Sequence, residues 1–188
     1  MYFICLERFD LPLPLQIRSS TIEDEQFLFA LYRDSHEEEF ASLGSVVAPL
    51  LRMQFQARQM AYSEKFPAAE DRILCLDDET RVGRLLLDTS GSQWTLVDIA
   101  VLRTHRHKGV ASEVLQDCLR ECHSAGSTLV LHVAHSNPAR ELYLKLGFQA
   151  IHSDAVYMEM RSSPIISHTC NVDELISPDV CQPGSICR

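Results

Sequence analysis

The segment Val101–Ser112 reads VLRTHRHKGVAS, and its residue types suit the binding of an anion. A strand-like run ends there, a basic loop with Arg103, His105, Arg106, His107 and Lys108 follows, and Gly109 opens a helical pattern. The first backbone N–H groups of a helix have no intrahelical partner and lie in a positive field, so they accept a phosphate or pyrophosphate. Gly109 and Ala111 let such a group approach the backbone without collision. The alternative reading is a solvated loop closed by a glycine cap. Neither G-x-G-x-x-G nor G-x-x-x-x-G-K-[ST] occurs, so the usual dinucleotide and nucleoside-triphosphate fingerprints are absent.

Side chains able to move a proton lie on either side of this loop. Asp98 stands on the strand that precedes it, and His132 and His135 follow on and just beyond a later strand. An imidazole ordinarily titrates near neutrality, which suits proton removal. Each of these residues also reads as structural. Tyr143 falls on an apolar stripe with Leu142 and Leu146, and by periodicity alone it is a core residue. Cys118, Cys122 and His123 precede His132 and His135, which raises a metal site. The cysteines share a helical face with Val114 and Leu115, however, and no C-x₂-C pair is present, so no metal is expected.

The elements that must hold these residues are legible from hydrophobic period and turn chemistry. Leu15–Arg18 is a short strand, and Ser20 and Thr21, each three residues before Glu23 or Asp24, form a capping-box pattern. Helical spacing follows in Ile22, Phe27, Leu28, Leu31 and Tyr32, then a polar patch from Arg33 to Glu39, then a second helix over Ala48–Lys65 ended by Pro67. The runs Ile73–Leu76, Val82–Leu87 and Trp94–Leu102, joined by short polar turns that include Asp77–Glu79, predict an antiparallel meander. Val110, Val114, Leu115, Cys118, Leu119 and Cys122 mark a third helix. Leu129–Val133 is a strand, Pro138–Leu146 a helix capped by Gly147, and Phe148–Ile151 with Ala155–Met160 a closing strand pair. The expected fold class is α/β, with one mixed sheet and helices on its faces.

Composition bounds the remaining possibilities. A chain of 188 residues with 46% hydrophobic and 23% charged residues suits one globular domain, expected over 15–161. A formal charge of −9 argues against a nucleic-acid partner. No apolar run approaches the roughly 20 residues that span a bilayer, so no membrane partner is expected. Charges at Glu7, Arg8 and Asp10 interrupt the only signal-like stretch, so residues 1–14 read as a short leader of a cytoplasmic protein. The polar segment 162–188, with Cys170, Cys181 and Cys187, reads as a tail with little structure of its own. The odd cysteine count, 7, argues against a disulfide framework.

Two motifs in order carry a family resemblance. Arg106-His107-Lys108-Gly109-Val110-Ala111 is similar to the R/Q-x-x-G-x-G/A motif of the GCN5-related N-acetyltransferase (GNAT) family. Leu96–Val101 resembles that family's fourth strand, and Asn137-Pro138-Ala139-Arg140 through Leu142-Tyr143 to Leu146-Gly147-Phe148 resembles its second signature. The resemblance implies a mainly antiparallel sheet whose fourth and fifth strands splay into a cleft. It implies acetyl-CoA as co-substrate, with pantetheine on the backbone of Ile99, Ala100 and Val101 and pyrophosphate on the amides from Arg106, His107, Lys108 and Gly109 through Val110, Ala111 and Ser112. Asn137 and Ala139 would line the thiol side, Tyr143 would be the general acid, and His132 or Asp98 the base. The stretch from Asn137 to Tyr143 is one residue shorter than in many members, which places Tyr143 more firmly than Asn137. The implied acceptor is an amine, small or on a peptide. The acceptor side would come from the first two helices, which carry Glu37, Glu38 and Glu39, then Gln54, Gln56, Arg58 and Tyr62. Val46–Leu51 and the helix after it would serve equally as a homodimer contact. A non-catalytic acyl-CoA-binding module would share the same loop.

Overall fold

The computed structural model describes residues 14–40, 47–76 and 80–162. The leader, the turn Asp77–Glu79, Val46, the tail beyond Ser162 and the side chains of Glu37, Glu38 and Glu39 lie outside the described residues.

The chain runs β1 (Leu15–Ser19), α1 (Glu25–Phe40), α2 (Val47–Lys65), β2 (Glu70–Leu76), β3 (Thr80–Asp88), β4 (Gln93–Val101), α3 (Val110–Ser124), β5 (Thr128–Ala134), α4 (Ala139–Lys145), β6 (Phe148–Ser153) and β7 (Tyr157–Ser162). The strands form one seven-stranded sheet in the order β1-β2-β3-β4-β5-β7-β6. All neighbours are antiparallel except β4 and β5. This is the order of elements the hydrophobic periods predict. The polar patch Arg33–Glu39 does not separate two helices but belongs to α1, because a run rich in glutamate holds no glycine or proline to stop it.

Two cores cover the two faces. On one, the α3 stripe of Val110, Val114, Leu115, Cys118, Leu119 and Cys122 packs on Leu129, Leu131 and Val133, which alternate along β5. Burial pushes the Cys118 thiol up to about 12 and the Cys122 thiol to about 11, so both stay protonated and serve as packing. On the other face Leu28 of α1 and Phe55 of α2 meet Ile73 and Cys75 of β2. No helix among the described residues is long and apolar enough to cross a membrane.

The entry to α1 is fixed by a buried charge. Asp24, 1% exposed, accepts both arms of Arg18 at 2.8 and 2.7 Å and Arg81 of β3 at 3.1 Å. It also accepts the Thr21 N–H at 2.9 Å, so of the capping-box pairs expected from sequence the one formed is Thr21 with Asp24. The Arg18 hydrogen bonds hold this carboxyl well below the ordinary aspartate value of 3.8. The folded state therefore binds this proton less readily than the unfolded chain. The stabilisation is complete above the unfolded value and is lost as pH falls below it. Asp24→Asn is expected to cost about 2–3 kcal/mol at pH 7 and about 1 kcal/mol less at pH 3, because the folded carboxylate is still ionised there, read from urea midpoints of the two proteins at both pH values.

Candidate active site

β4 and β5 pair only from Gln93↔Thr128 to Leu96↔Leu131, after which the ladder stops. A bulge marks the point of departure: Leu86 opposes Asp98 and Leu87 opposes Leu96, so Val97 has no partner on β3. An extra residue of this kind increases local twist and bends the strand that carries it. Asp98–Val101 consequently stays paired to β3 on one edge and unpaired on the edge that faces β5. Gly83 brings β3 close to this stretch, since a Cβ there would stand 2.5 Å from the Ala100 carbonyl oxygen.

The basic loop leaves the end of β4 through a tight turn. The Leu102 N–H donates to Val82 at 2.9 Å, and a 3₁₀ turn covers Arg103–His105. His107 then has φ 60 and Gly109 φ 88, both in the left-handed region. Glycine takes that conformation freely, whereas a histidine there is held at a cost of about 1 kcal/mol or more. The loop is tied to α1: the Arg103 N–H donates to Asp34 at 2.8 Å, and Arg106 donates to the Val101 carbonyl at 2.9 Å and the Ser35 hydroxyl at 3.2 Å. The Arg106 side chain thus fastens the loop, and its own N–H points back to the Arg103 carbonyl at 3.3 Å. His107 and Lys108 are exposed. In α3 the Glu113 N–H donates to the Gly109 carbonyl at 3.0 Å, so the amides of Val110, Ala111 and Ser112 precede the first intrahelical bond and face outward from the helix start.

Tyr143 lies on α4 with its ring buried edge-on against Phe148, centroids 5.7 Å apart. Its hydroxyl makes no hydrogen bond among the described residues, yet it is not sealed from solvent. Burial, helped by the charge of Asp98, pushes the phenol up to about 12. It is an O–H donor throughout the neutral range.

The other candidates separate into distinct roles. Asp98 is engaged by Arg58 at 3.1 Å and Arg84 at 3.6 Å, so its oxygens are occupied by cations. His132 points to the sheet face opposite Leu131 and Val133, is 56% exposed, and stands 3.9 Å from Glu159 across the β5–β7 register. His135 fastens the β6–β7 turn through contacts to the Asp154 carbonyl at 2.9 Å and the Ser153 hydroxyl at 3.3 Å. Asn137 accepts the Ala139 N–H at 2.9 Å and so starts α4.

The family model described as Acetyltransferase (GNAT) family matches residues 26–148, which span α1 to the start of β6. The chain belongs to the GNAT acetyltransferase family. It is accordingly an acyltransferase, and the parting of β4 from β5 lies beside the loop and helix that carry the family motif. Among solved structures, the PaiA N-acetyltransferase from Thermoplasma acidophilum in complex with coenzyme A superposes with a TM-score of 0.63 at 18% identity, covering 80% of this chain and 99% of that one. An acetyltransferase from Thermus thermophilus gives 0.61 at 21% identity, covering 79% and 96%. The ribosomal-protein-S18-alanine N-acetyltransferase from Escherichia coli gives 0.55 at 19% identity, covering 79% and 93%. At these identities the likeness is one of fold. Comparison with curated protein sequences finds no match at a stringent threshold.

In this GNAT chain the motif reading of the sequence overlooks one group of residues. Arg84, side chain 8% exposed, donates to both oxygens of Asp71 at 2.8 and 2.9 Å and to Gln59 at 2.9 Å. With Asp98 and Arg58 it forms a charged network between α2 and the sheet. The one signal was an arginine in the middle of the apolar run Val82–Leu87, where a lone charge has to find partners.

Proposed function

We propose that this GNAT enzyme transfers the acetyl group of acetyl-CoA directly to a primary amine. The observation that carries the reading is the end of the β4–β5 ladder at Leu96↔Leu131, next to a glycine-capped helix start. The unpaired edge of Ile99, Ala100 and Val101 suits the amides of a pantetheine arm. The N–H groups from His107 to Ser112 suit a pyrophosphate, with small Ala111 leaving room beside the backbone. In this arrangement a backbone N–H of β4, near the point where the strand leaves β5, donates to the thioester carbonyl as it gains negative charge.

The chemistry then balances simply. The neutral amine attacks the thioester carbon, a C–N bond forms, the C–S bond breaks, and the sulfur takes the electron pair. The Tyr143 hydroxyl donates to that sulfur. With the phenol at about 12 and an ordinary thiol near 8.5, complete proton transfer from Tyr143 is uphill by about 5 kcal/mol. The phenol therefore acts as a hydrogen-bond donor during bond breaking, and the proton shed by the attacking nitrogen restores the neutral pair. In this reading His132 relays that proton to the sulfur by way of solvent, since Asp98 is engaged by Arg58 and Arg84.

Incubating the full chain with acetyl-CoA and a panel of primary amines tests the reading. Free CoA released in step with an amine product heavier by one acetyl group is the expected result. Hydrolysis of acetyl-CoA without any acetylated amine would contradict it.

A further inference from the structure

Arg58 and Arg84 sit in the same charged network but are used differently. Each nitrogen of the Arg84 guanidinium has an acceptor, from Asp71 or Gln59. Arg58 donates from Nε to the Tyr62 hydroxyl at 2.7 Å and from Nη2 to Asp98 at 3.1 Å, while its Nη1 meets no acceptor among the described residues. The guanidinium lies between two aromatic rings, with centroids at 5.9 Å for Tyr32 and 5.2 Å for Tyr62, and it keeps 37% of its surface exposed. Its orientation is thus set by three partners on α1, α2 and β4, and one nitrogen, Nη1, is left open. Asp98 is the second residue beyond the point where β4 and β5 part. Arg58 is therefore held against the strand position just past that parting, next to where the proposed reaction puts the thioester.

A fixed guanidinium with Nη1 free is a charged donor for an oxyanion, and a carboxylate is the oxyanion such a donor commonly meets. The setting strengthens the case. In a chain of net charge −9, an anionic acceptor would be repelled without a cation at the site, and Arg58 is the partly exposed one beside Asp98. We propose that the acceptor is an amine that carries its own carboxylate, an amino-acid-like molecule read at the carboxylate by Arg58. This rests on the acetyl-transfer reading above and narrows it to one substrate class.

The test compares free amino acids, each with its carboxamide and its decarboxylated amine, as acceptors for the full chain and acetyl-CoA. The expected result is a preference of roughly ten- to a hundredfold in kcat/KM for the carboxylate form of the best acceptor. Arg58→Gln should raise KM for that form by a similar factor, leave kcat within about threefold, and bring it level with the carboxamide; Arg58→Lys should recover part of the loss. Equal use of the three forms by the unaltered protein would overturn the proposal, and that comparison stands even if the variants fold poorly. Equal loss on all forms in Arg58→Gln, or no turnover of any carboxylate-bearing amine by protein that binds acetyl-CoA, would overturn it too. Absence of acetyl-CoA binding in the same preparation would strike the parent reading instead and take this inference with it.

Discussion

Replacing Tyr143 by phenylalanine is expected to lower kcat by about two to three orders of magnitude while acetyl-CoA affinity stays within about twofold. The division follows from what the side chain does in the fold. Its ring packs edge-on against Phe148 in the main core, and phenylalanine preserves that packing. The hydroxyl has no hydrogen-bond partner among the described residues, so its removal strands no protein group and the melting temperature should hold. What disappears is the buried phenolic donor that the proposed mechanism aims at the departing sulfur. Burst and steady-state CoA release, measured beside a binding titration, separate the effects. Unchanged turnover in this variant would remove Tyr143 from the mechanism.

Ser112→Glu is expected to separate stability from binding in the opposite sense. A carboxylate in the first turn of α3 complements the helix dipole, so the unliganded protein should melt at the same temperature or slightly higher. The same charge would stand where the proposed pyrophosphate binds. Two like charges about 4 Å apart at a protein surface repel by about 4 kcal/mol, which corresponds to a loss of acetyl-CoA affinity of roughly a thousandfold. Partial screening by solvent and salt reduces this, and a loss of about a hundredfold is the lower expectation. Melting curves with and without acetyl-CoA show both effects in one experiment. Affinity retained in Ser112→Glu would move the pyrophosphate away from α3.

Most of the fold was legible because its determinants are local. The α3 stripe from Val110 to Cys122 is spaced at the helical period, and every member is buried as that spacing requires. The short polar connections around β3 enforce antiparallel neighbours, and the Thr21–Asp24 capping box marks the entry to the first helix. The motif over Arg106–Ala111 located the loop, but not the use of each side chain within it. Arg106 reads as a positive charge awaiting an anion, and in the structure it ties the loop to Val101 and Ser35. Nothing near Arg106 in the sequence announces a partner on a helix some seventy residues earlier. The network of Arg58, Asp71, Arg84 and Asp98 was hidden for the same reason: its bonds run between β2, β3, β4 and α2, and only the sheet register brings them together. The bulge at Val97 is likewise invisible to periodicity, although it is the feature that turns β4 away from β5.

The melting temperature of the unaltered protein, taken with acetyl-CoA, free CoA and ATP in turn, tests the central claim most directly. Ligand at about a hundred times its dissociation constant should stabilise the fold by about 2.7 kcal/mol, a shift of roughly 5–10 °C for a domain of this size. The account predicts that shift with both CoA compounds and none with ATP, because the nucleotide lacks the arm that pairs with the free edge of Ile99–Val101. No shift at saturating acetyl-CoA, or an equal shift with ATP, would contradict it.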